Sequence, residues 1–552
     1  MVDDMRNDHA IIDRLTDRDI TTIFGIPGKQ TLPLNDVISG RDDVRFVMAR
    51  HETNVTHQAW GYAESSGETA ATVVIPGPGD MNAMNGLKNA LNDCTPLVHI
   101  AVETEPEVRG GDGIHETPPD TYDNVVKENV TVETPQSVVA ELDRAITIAE
   151  TPPMGPVRVG IPKNFIPVET EPAAVEPAEP AAPPEPPTEA VERAADLLAG
   201  AEAPAIVAGG GVRAANASER LRSLAEAIGA PVATTYKGKA TMPEDHPLFA
   251  GTLCGGTSPE LRACLESSDA LLAVGSDFDA VWTQHWSYEF PADLIHVTLH
   301  PSDVGTGYDP RVAVVADADR TLAAIETALA NRSVTEPSEA GANRAAAVRR
   351  ADAERTAELR TATDAPLPSV SALAALREAL PRETIVTADA GGSRVWAVVT
   401  FPAYDPRDYV NPGSWASMGL AVPAAVGAAV ANPDQPVAVL IGEGGLLMCL
   451  EELHTIAAED LDVTVFVFNN DDYGIISEEA ERSYDLESSA YGWSDAPLDC
   501  ARIAEGMGLD VDRAETPDGI REAASAAVGS GPTLVEIPTD PDEPQAGEFM
   551  TR

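Results

Sequence analysis

The residues best suited to chemistry in this chain form two short polar strings, each following an apolar run. Gly442, Glu443 and Gly444 follow VAVLI, and Asn469 and Asn470 follow VTVFVF after a gap of 24 residues. Both runs are rich in β-branched residues and end in turn-forming residues, so each predicts a buried parallel strand. Neighbouring parallel strands end at one edge of a sheet, where ligands bind. Carboxylate, amide and main-chain carbonyl oxygens gathered there are the donors that Mg²⁺ prefers.

The segment between the two strings, LLMCLEELHTIAAED, has helical spacing. A strand, a helix and a second parallel strand make one right-handed crossover unit, which predicts an α/β fold built from doubly wound parallel sheets. The glycines on both sides of Glu443 would let a phosphate group approach the backbone closely. The predicted site is therefore a metal ion that holds a phosphorylated ligand.

These strings resemble the signature of the thiamine diphosphate-dependent enzymes, in which Gly-Asp-Gly is followed at similar spacing by Asn-Asn. Glu443 stands where that family has Asp, so its carboxylate lies one methylene further from the backbone. The resemblance implies thiamine diphosphate and Mg²⁺ as cofactors. Carried over to this chain, the metal ligands are Glu443, Asn470 and Asp472. The cofactor contacts of this region are Gly442, Gly444, Gly445 and Tyr473.

The amino-terminal third resembles the acetolactate synthase branch of this family, through TTIFGIPGKQTLPLNDVI and VMARHETNVTHQAWGYAE. Glu52 falls on the family's catalytic glutamate. The resemblance implies that this acid hydrogen-bonds N1′ of the aminopyrimidine and so controls the proton at thiazolium C2. The same resemblance, extended to VVIPGPGDMNAMNG, makes Pro27, Gly28 and Gly79 cofactor contacts.

The carboxyl-terminal part adds two further stretches that resemble the family, IVTADAGGSRVWA and SWASMGLAVPAAVGAAVA. The first implies diphosphate contacts at Asp389, Gly391 and Ser393, where many members carry His or Asn instead of the serine. The second places Met418 at the position of a methionine that lies under the cofactor and bends it.

His115, in GGDGIHETPP, occupies the position of a glutamine in the synthases. As a catalytic residue it would donate a proton to a carbonyl group or orient the carboxylate of a 2-oxo acid. The alternative is a loop histidine bonded to the main chain.

A chain of 552 residues is too long for one core and predicts three domains. The resemblance and the Pro/Glu/Ala-rich composition of one stretch predict their limits. The predicted parts are a pyrimidine-binding domain (1–168), a Pro/Glu-rich linker (169–190), a Rossmann-like middle domain (191–332), a second linker (333–368) and a diphosphate-binding domain (369–552). In the middle domain, PAIVAGGGV predicts a strand, a glycine turn and a helix. The turn suits tight packing or a nucleotide, so FAD is an open alternative.

Composition excludes some classes of partner. The formal net charge of −52 and the sequence pI near 4.3 exclude a nucleic-acid binder. Only six residues are lysine, and so acidic a chain predicts a halophilic source, with an acidic mesophilic enzyme as the alternative. Five scattered cysteines and an acidic start without an apolar signal predict a cytoplasmic protein. The longest uncharged stretch is interrupted by Pro and Gly, so no membrane span is expected.

The predicted reaction is decarboxylation of a small 2-oxo acid followed by carboligation, as in the acetolactate synthases of branched-chain amino acid synthesis. After Asn470 the chain reads DDYGII and lacks the family's Gln-Trp pair, which keeps simple decarboxylation as the alternative. A catalytically silent scaffold or regulatory subunit that binds the cofactor is a third hypothesis. The resemblance also implies a homodimer or homotetramer in which Glu52 and Glu443 of one site come from different chains.

Overall fold

A computed structural model describes residues 5–110, 114–118, 120–170, 177–332, 339–487 and 491–552. Within them the chain forms three six-stranded sheets, and every strand pairing inside those three sheets is parallel. Helices alternate with the strands along the chain. The predicted α/β fold with three parallel-sheet domains is confirmed.

The first sheet carries the segment around Glu52. The elements of this part are β1 (Met5–Arg6), α1 (Asn7–Asp17), β2 (Thr22–Gly25), α2 (Leu32–Ser39), β3 (Arg45–Met48), α3 (Glu52–Ser66), β4 (Ala70–Val74), α4 (Pro78–Asn82), α5 (Met84–Asn92), β5 (Leu97–Glu103), β6 (Glu128–Thr131), α6 (Val138–Glu150), β7 (Val157–Pro162) and β8 (Glu169–Thr170). The sheet order is β3-β2-β4-β5-β7-β6, and β1 pairs with β8 in a separate antiparallel ribbon.

The second sheet belongs to the middle of the chain. Its elements are α7 (Thr188–Gly200), β9 (Pro204–Ala208), α8 (Gly210–Ala214), α9 (Ser218–Ile228), β10 (Val232–Thr235), β11 (Phe249–Leu253), α10 (Pro259–Glu266), β12 (Ala270–Val274), β13 (Asp293–Thr298), β14 (Val312–Val315), α11 (Ala318–Ala330) and α12 (Ala340–Arg360). The order β11-β10-β9-β12-β13-β14 reverses direction between β9 and β12, as in a Rossmann fold.

The third sheet carries Glu443 and the two asparagines. Its elements are α13 (Ser369–Ala379), β15 (Ile385–Ala388), α14 (Gly392–Thr400), β16 (Tyr409–Val410), α15 (Ala421–Ala431), β17 (Val437–Gly442), α16 (Glu443–Leu446), α17 (Leu453–Ala458), β18 (Val463–Asn469), α18 (Gly474–Tyr484), α19 (Cys500–Met507), β19 (Asp510–Arg513), α20 (Pro517–Ala527), β20 (Thr533–Pro538) and α21 (Ala546–Thr551). Its order is β16-β15-β17-β18-β20-β19.

The connection between β17 and β18 differs from the single helix that its spacing predicts. It forms α16, a 3₁₀ turn at Leu450–Glu452 and then α17, because Cys449 leaves the helical region with φ −149° and ψ 18°. The break is stabilised by α3 and the residues before it. The main-chain N–H of Arg50 and the side chain of Gln58 donate to the buried Glu452 carboxylate at 2.7 and 2.8 Å. Tertiary hydrogen bonds thus override local helical propensity.

The predicted linkers contain structure at their ends. Between 169 and 190, β8 and the first residues of α7 are ordered elements, residues 177–187 form neither helix nor strand, and 171–176 lie outside the described residues. Between 333 and 368, α12 is the predicted helix, while 333–338 lie outside the described residues. The domain limits themselves stay predictions. Within the described part of the chain, no helix combines the length and apolarity needed to cross a bilayer.

The first and third domains meet where α3 crosses α15 at very short range. A Cβ atom added to Gly61 would lie 2.2 Å from the carbonyl oxygen of Ala424, and one added to Gly427 would lie 1.9 Å from that of Gln58. Both distances are far below van der Waals contact. The backbones therefore approach because the crossing residues are glycine and alanine, and α15 is buried over almost its whole length.

Replacing Gly427 with alanine should therefore destabilise the folded protein, by about 1–3 kcal/mol, since the new methyl group meets backbone that cannot rotate away. The matched control is Gly506→Ala in α19, where an added Cβ meets nothing within 4 Å. That control should be neutral or stabilising by about 0.5–1 kcal/mol. Chemical denaturation of the two variants measures both effects, and equal stabilities would contradict the proposed packing.

Candidate functional site

Glu443 and Asn470 lie side by side at the carboxyl edge of the third sheet. Residues Gly442 and Phe468 are paired in the β17–β18 ladder, so the residues after them leave the sheet together. One main-chain amide joins their side chains: the N–H of Asp472 donates to Glu443 Oε1 at 2.9 Å and to Asn470 Oδ1 at 3.2 Å. The structure thus brings together all three residues predicted as metal ligands.

Asp472 offers its main chain rather than its side chain to a ligand. Its Oδ1 accepts a hydrogen bond from the hydroxyl of Ser477 at 2.7 Å. Among the residues that the structure describes, none donates to the Asp472 carbonyl oxygen. That carbonyl, the Glu443 carboxylate and the Asn470 amide oxygen form the kind of oxygen donor set that Mg²⁺ takes.

Glu443 is almost completely buried, with 2% of its surface exposed. Burial raises the pKa of its carboxyl group to about 7, although main-chain N–H groups, including that of Asp472, act in the opposite direction. Because ionisation of a buried carboxylate is costly without a compensating charge, this group favours a cationic partner.

The two asparagines have different roles. Asn469 is buried, and its side-chain NH₂ donates to Glu536 Oε1 at 2.8 Å and to the carbonyl of Leu498 at 3.2 Å. Its Oδ1 accepts from the N–H of Asp471, which has a positive φ of 54°. Asn469 therefore holds the loop that presents Asn470 to the site.

The predicted cofactor contacts Gly444, Tyr473 and Met418 also lie together. A Cβ on Gly444 would lie 2.6 Å from the Tyr473 ring and 3.7 Å from the Met418 Cε atom. Gly391 and Ser393 lie at the start of α14, and the space that a Cβ on Gly391 would enter is empty to 4 Å. The open amino terminus of a nine-residue helix suits a phosphate group.

Asp389 and Gly445 pack against each other. A Cβ on Gly445 would lie 2.1 Å from Asp389 Oδ2, so only glycine fits there. The buried Asp389 carboxylate accepts the N–H groups of Gly419, Leu420 and Ala421 at 2.8–3.1 Å. Burial raises the pKa of Asp389 to about 6. The pair fixes the turn that carries Met418, and its predicted cofactor contact stays a prediction.

Glu52, the first residue of α3, belongs to a second cluster in the first domain. The side-chain NH₂ of Asn82 donates to Glu52 Oε2 at 3.0 Å. A Cβ on Gly79 would lie 3.2 Å from Glu52 Oε1 and 2.6 Å from Ile75. The structure therefore places the predicted catalytic acid directly against the predicted glycine turn.

The remaining predicted residues of the first domain flank this turn. A Cβ on Gly28 would lie 2.2 Å from Ile75, which also contacts Gly79, and Pro27 is exposed beside it. His115 has a positive φ of 62°, and its backbone packs on Gly77. Its side chain is exposed at the same end of the first sheet. Residues 111–113 and 119 of the predicted GGDGIHETPP segment lie outside the described residues.

The Glu52 cluster lies in the first domain and the Glu443 cluster in the third. Among the described residues, no side-chain hydrogen bond joins one cluster to the other. Large exposed apolar side chains lie beside both: Met81 follows Gly79 and is 47% exposed, and Met448 packs on Gly419 and is 49% exposed.

Three residues of these clusters were not predicted from the sequence. Asn82 contacts Glu52, Ser477 binds Asp472, and the Trp493 ring stands edge-on to Tyr473 at 5.0 Å and 83°. The family's Gln-Trp pair is missing after Asn470, but the fold places Trp493, from a later loop, against Tyr473. Asn82 could have been found from its place after the glycine turn, whereas nothing local indicates Trp493.

The described residues fit thiamine diphosphate and a divalent cation. No group of three or more His, Cys, Asp or Glu side chains that could hold a metal ion occurs among them. A cation would therefore depend on Glu443, on amide and carbonyl oxygens and on phosphate oxygens, as Mg²⁺ does when it bridges a diphosphate. The empty space at Gly391 and the α14 amino terminus would receive that diphosphate.

Comparisons with known proteins agree with this geometry over most of the chain. Three family models match: the N-terminal TPP binding domain of thiamine pyrophosphate enzymes at residues 5–124, their central domain at 191–325 and their C-terminal TPP binding domain at 389–537. The chain therefore belongs to the thiamine pyrophosphate enzyme family, and it is an acetolactate synthase-like enzyme of that family.

Individual relatives cover nearly the whole chain. A probable acetolactate synthase large subunit of Methanocaldococcus jannaschii is 30% identical over 98% of this chain and 93% of its own length. The acetolactate synthase isozyme 1 large subunit of Escherichia coli is 29% identical, with 97% and 94% covered. A probable 2-ketoarginine decarboxylase, AruI, of Pseudomonas aeruginosa is 31% identical, with 96% and 93% covered. The relatives thus include proteins named as acetolactate synthases and one named as a decarboxylase.

The contrast between the two asparagines can be measured. Asn469→Ala should lower the free energy of unfolding by about 1–3 kcal/mol, because it leaves the buried Glu536 carboxylate short of a donor. Asn470→Ala should change it by less than about 0.5 kcal/mol, because the Asp472 N–H keeps its bond to Glu443. Urea denaturation without added cofactor provides both values, and the reverse order would exclude these roles.

Proposed function

We propose that this enzyme uses thiamine diphosphate and Mg²⁺ to decarboxylate pyruvate and to join the remaining two-carbon unit to a second pyruvate, giving acetolactate. The observation that carries the proposal is the joint presence of the Glu52 cluster and the Glu443–Asn470–Asp472 donor set in a chain that resembles acetolactate synthase large subunits over nearly its whole length. Branched-chain amino acid synthesis is the corresponding pathway in this proposal.

The chain's own residues have distinct tasks in this reaction. Bound thiamine diphosphate would supply the electron sink for decarboxylation. Glu52, oriented by Asn82, holds and returns the proton at the pyrimidine nitrogen. Glu443, Asn470 and the Asp472 carbonyl hold the cation.

Other side chains orient the cofactor and substrate. Met418 and Tyr473 form one wall of the cofactor site, and α14 receives the diphosphate through Gly391 and Ser393. His115, exposed at the glycine turn, donates to the substrate carbonyl or orients its carboxylate.

Simple decarboxylation is the second candidate. The named 2-ketoarginine decarboxylase relative supports it, as does the sequence after Asn470, where Ile475 and Ile476 are exposed and the Gln-Trp pair is missing. The two candidates share every residue of the cofactor site. They differ only in the step after decarboxylation, in which the remaining two-carbon unit either reacts with a second carbonyl compound or takes up a proton.

Product analysis separates the candidates. With pyruvate, thiamine diphosphate and Mg²⁺ at high salt, the wild-type enzyme should form acetolactate, and acetaldehyde as the main product would favour simple decarboxylation. Glu52→Gln should lose at least about 100-fold in turnover, since the amide cannot relay the proton, while cofactor affinity by calorimetry is retained. Cofactor binding with no turnover of any 2-oxo acid by the wild type would support the silent scaffold instead.

We also propose a homodimer, alone or within a homotetramer, in which each site combines the Glu52 cluster of one chain with the Glu443 cluster of the other. The two clusters lie in different domains with no side-chain hydrogen bond between them among the described residues, and exposed Met81 and Met448 lie beside them, which supports this arrangement. A two-fold axis would bring each cluster opposite its complement in the partner.

Complementation tests the shared site. A dimer purified with one Glu52→Gln chain and one Glu443→Gln chain carries one site with both changes and one intact site, so it should keep about half of wild-type activity. Each variant alone should be inactive, because Glu443→Gln removes the negative charge that holds the cation. If each chain built its own site, the mixed dimer would be inactive too.

Cytoplasmic location and halophilic adaptation belong to the same proposal. All five cysteines are free, which suits a reducing compartment. The net charge of −52 is spread along the chain, which suits high salt, where repulsion between carboxylates is screened.

A further inference from the structure

A cleft of about 350 Å³ lies at the carboxyl edge of the middle sheet, and no residue of the Glu52 or Glu443 cluster lines it. The loops after β9, β10, β12, β13 and β14 line it, and it straddles the point between β9 and β12 where the strand order reverses. The end of α5 and the segment at Gly413 close it from the other two domains. This is the usual place for a ligand in such a sheet.

The glycine turn of this cleft does not form an open phosphate cradle. A Cβ on Gly211 would lie 2.6 Å from Gly275, and one on Gly210 would lie 2.8 Å from the Lys237 side chain. The glycines at 209–211 are therefore required by close packing against the loop after β12 and by the stem of Lys237. The α8 helix behind the turn has only five residues.

The cleft also lacks a cation that could bind a diphosphate. Within the described residues its lining contains no arginine, and Lys237 is its only lysine. The Lys237 ammonium group is already paired with Glu64 at 2.8 Å and with Asp93 at 3.0 Å. Its positive charge is thus balanced inside the protein.

The carboxylates of Asp277, Asp279 and Asp303 line the cleft. Two hydroxyl groups are used within the wall: Tyr236 donates to Asp279 at 3.1 Å and Thr298 donates to Asp303 at 2.8 Å. His300, beside Cys94, also lines the cleft.

Apolar side chains complete the lining. Leu91, Met154 and Leu299 provide apolar surface. The volume is at the low end of the range of about 300–1,000 Å³ for small-molecule sites.

We propose that this cleft binds a small organic cation, with an ammonium or guanidinium group on the carboxylates of Asp277 and Asp303 and an apolar segment against Leu91 and Met154. Charged donors suit these acceptors, since hydrogen bonds between ionised groups are roughly twice as strong as neutral ones. A diphosphate such as that of FAD is disfavoured, because its phosphates would meet carboxylates and the described lining offers no arginine and no unpaired lysine. A ligand bound in this cleft would lie between residues of all three domains.

Calorimetric titration of the full chain with agmatine, which carries a guanidinium group, an amine and a short methylene segment, tests the proposal. The cleft variant is Asp277→Asn combined with Asp303→Asn. The control is Asp42→Asn combined with Asp434→Asn, which changes the net charge equally at exposed positions outside the cleft. Circular dichroism verifies that both variants fold.

Agmatine should bind the wild type and the control at one site per chain, and its affinity should fall by about tenfold or more in the cleft variant, which loses two charged hydrogen bonds. FAD and ADP should produce no binding signal. Equal agmatine affinity in both variants, no agmatine binding to the wild type, or stoichiometric FAD binding would each overturn the proposal.

Discussion

The catalytic site depends first on the register of two parallel strands. Because β17 and β18 pair Gly442 with Phe468, Glu443 and Asn470 leave the sheet as neighbours, and the Asp472 amide fixes both side chains. A shift of one residue would turn every side chain of a strand to the opposite face. The positions of the Glu443 carboxylate, the Asn470 amide oxygen and the Asp472 carbonyl all follow from that register. The extra methylene of Glu443 therefore changes how far its carboxylate extends from the backbone, and the place of the residue at the sheet edge stays the same.

The second constraint is the crossing of α3 and α15. Glycine and alanine let the two backbones approach, and the helix after β17 breaks into α16 and a 3₁₀ turn whose Glu452 accepts hydrogen bonds from Arg50 and Gln58. The same helix that begins with Glu52 is therefore fixed on the third domain of its own chain. The proposed catalytic site combines this Glu52 with Glu443 of the other chain.

The middle domain shows that one topology can serve different chemistry. Its strand order and glycine turn are those of a nucleotide-binding sheet, but the glycines are used for packing and Lys237 is neutralised by Glu64 and Asp93. The class of ligand in such a cleft depends on which side-chain charges have no ionic partner, and in the described lining these include the carboxylates of Asp277 and Asp303. The strand order and glycine turn alone would have predicted a negatively charged ligand.

The sequence by itself predicted the three parallel-sheet domains, through chain length and family resemblance, and the meeting of Glu443 with Asn470, because strand periodicity and turn residues act over short stretches. It did not determine the broken helix after α16, the hydrogen bond from Asn82 to Glu52 or the return of Trp493 to Tyr473. Those features depend on contacts between segments distant in the chain, which only the packing of the folded protein selects.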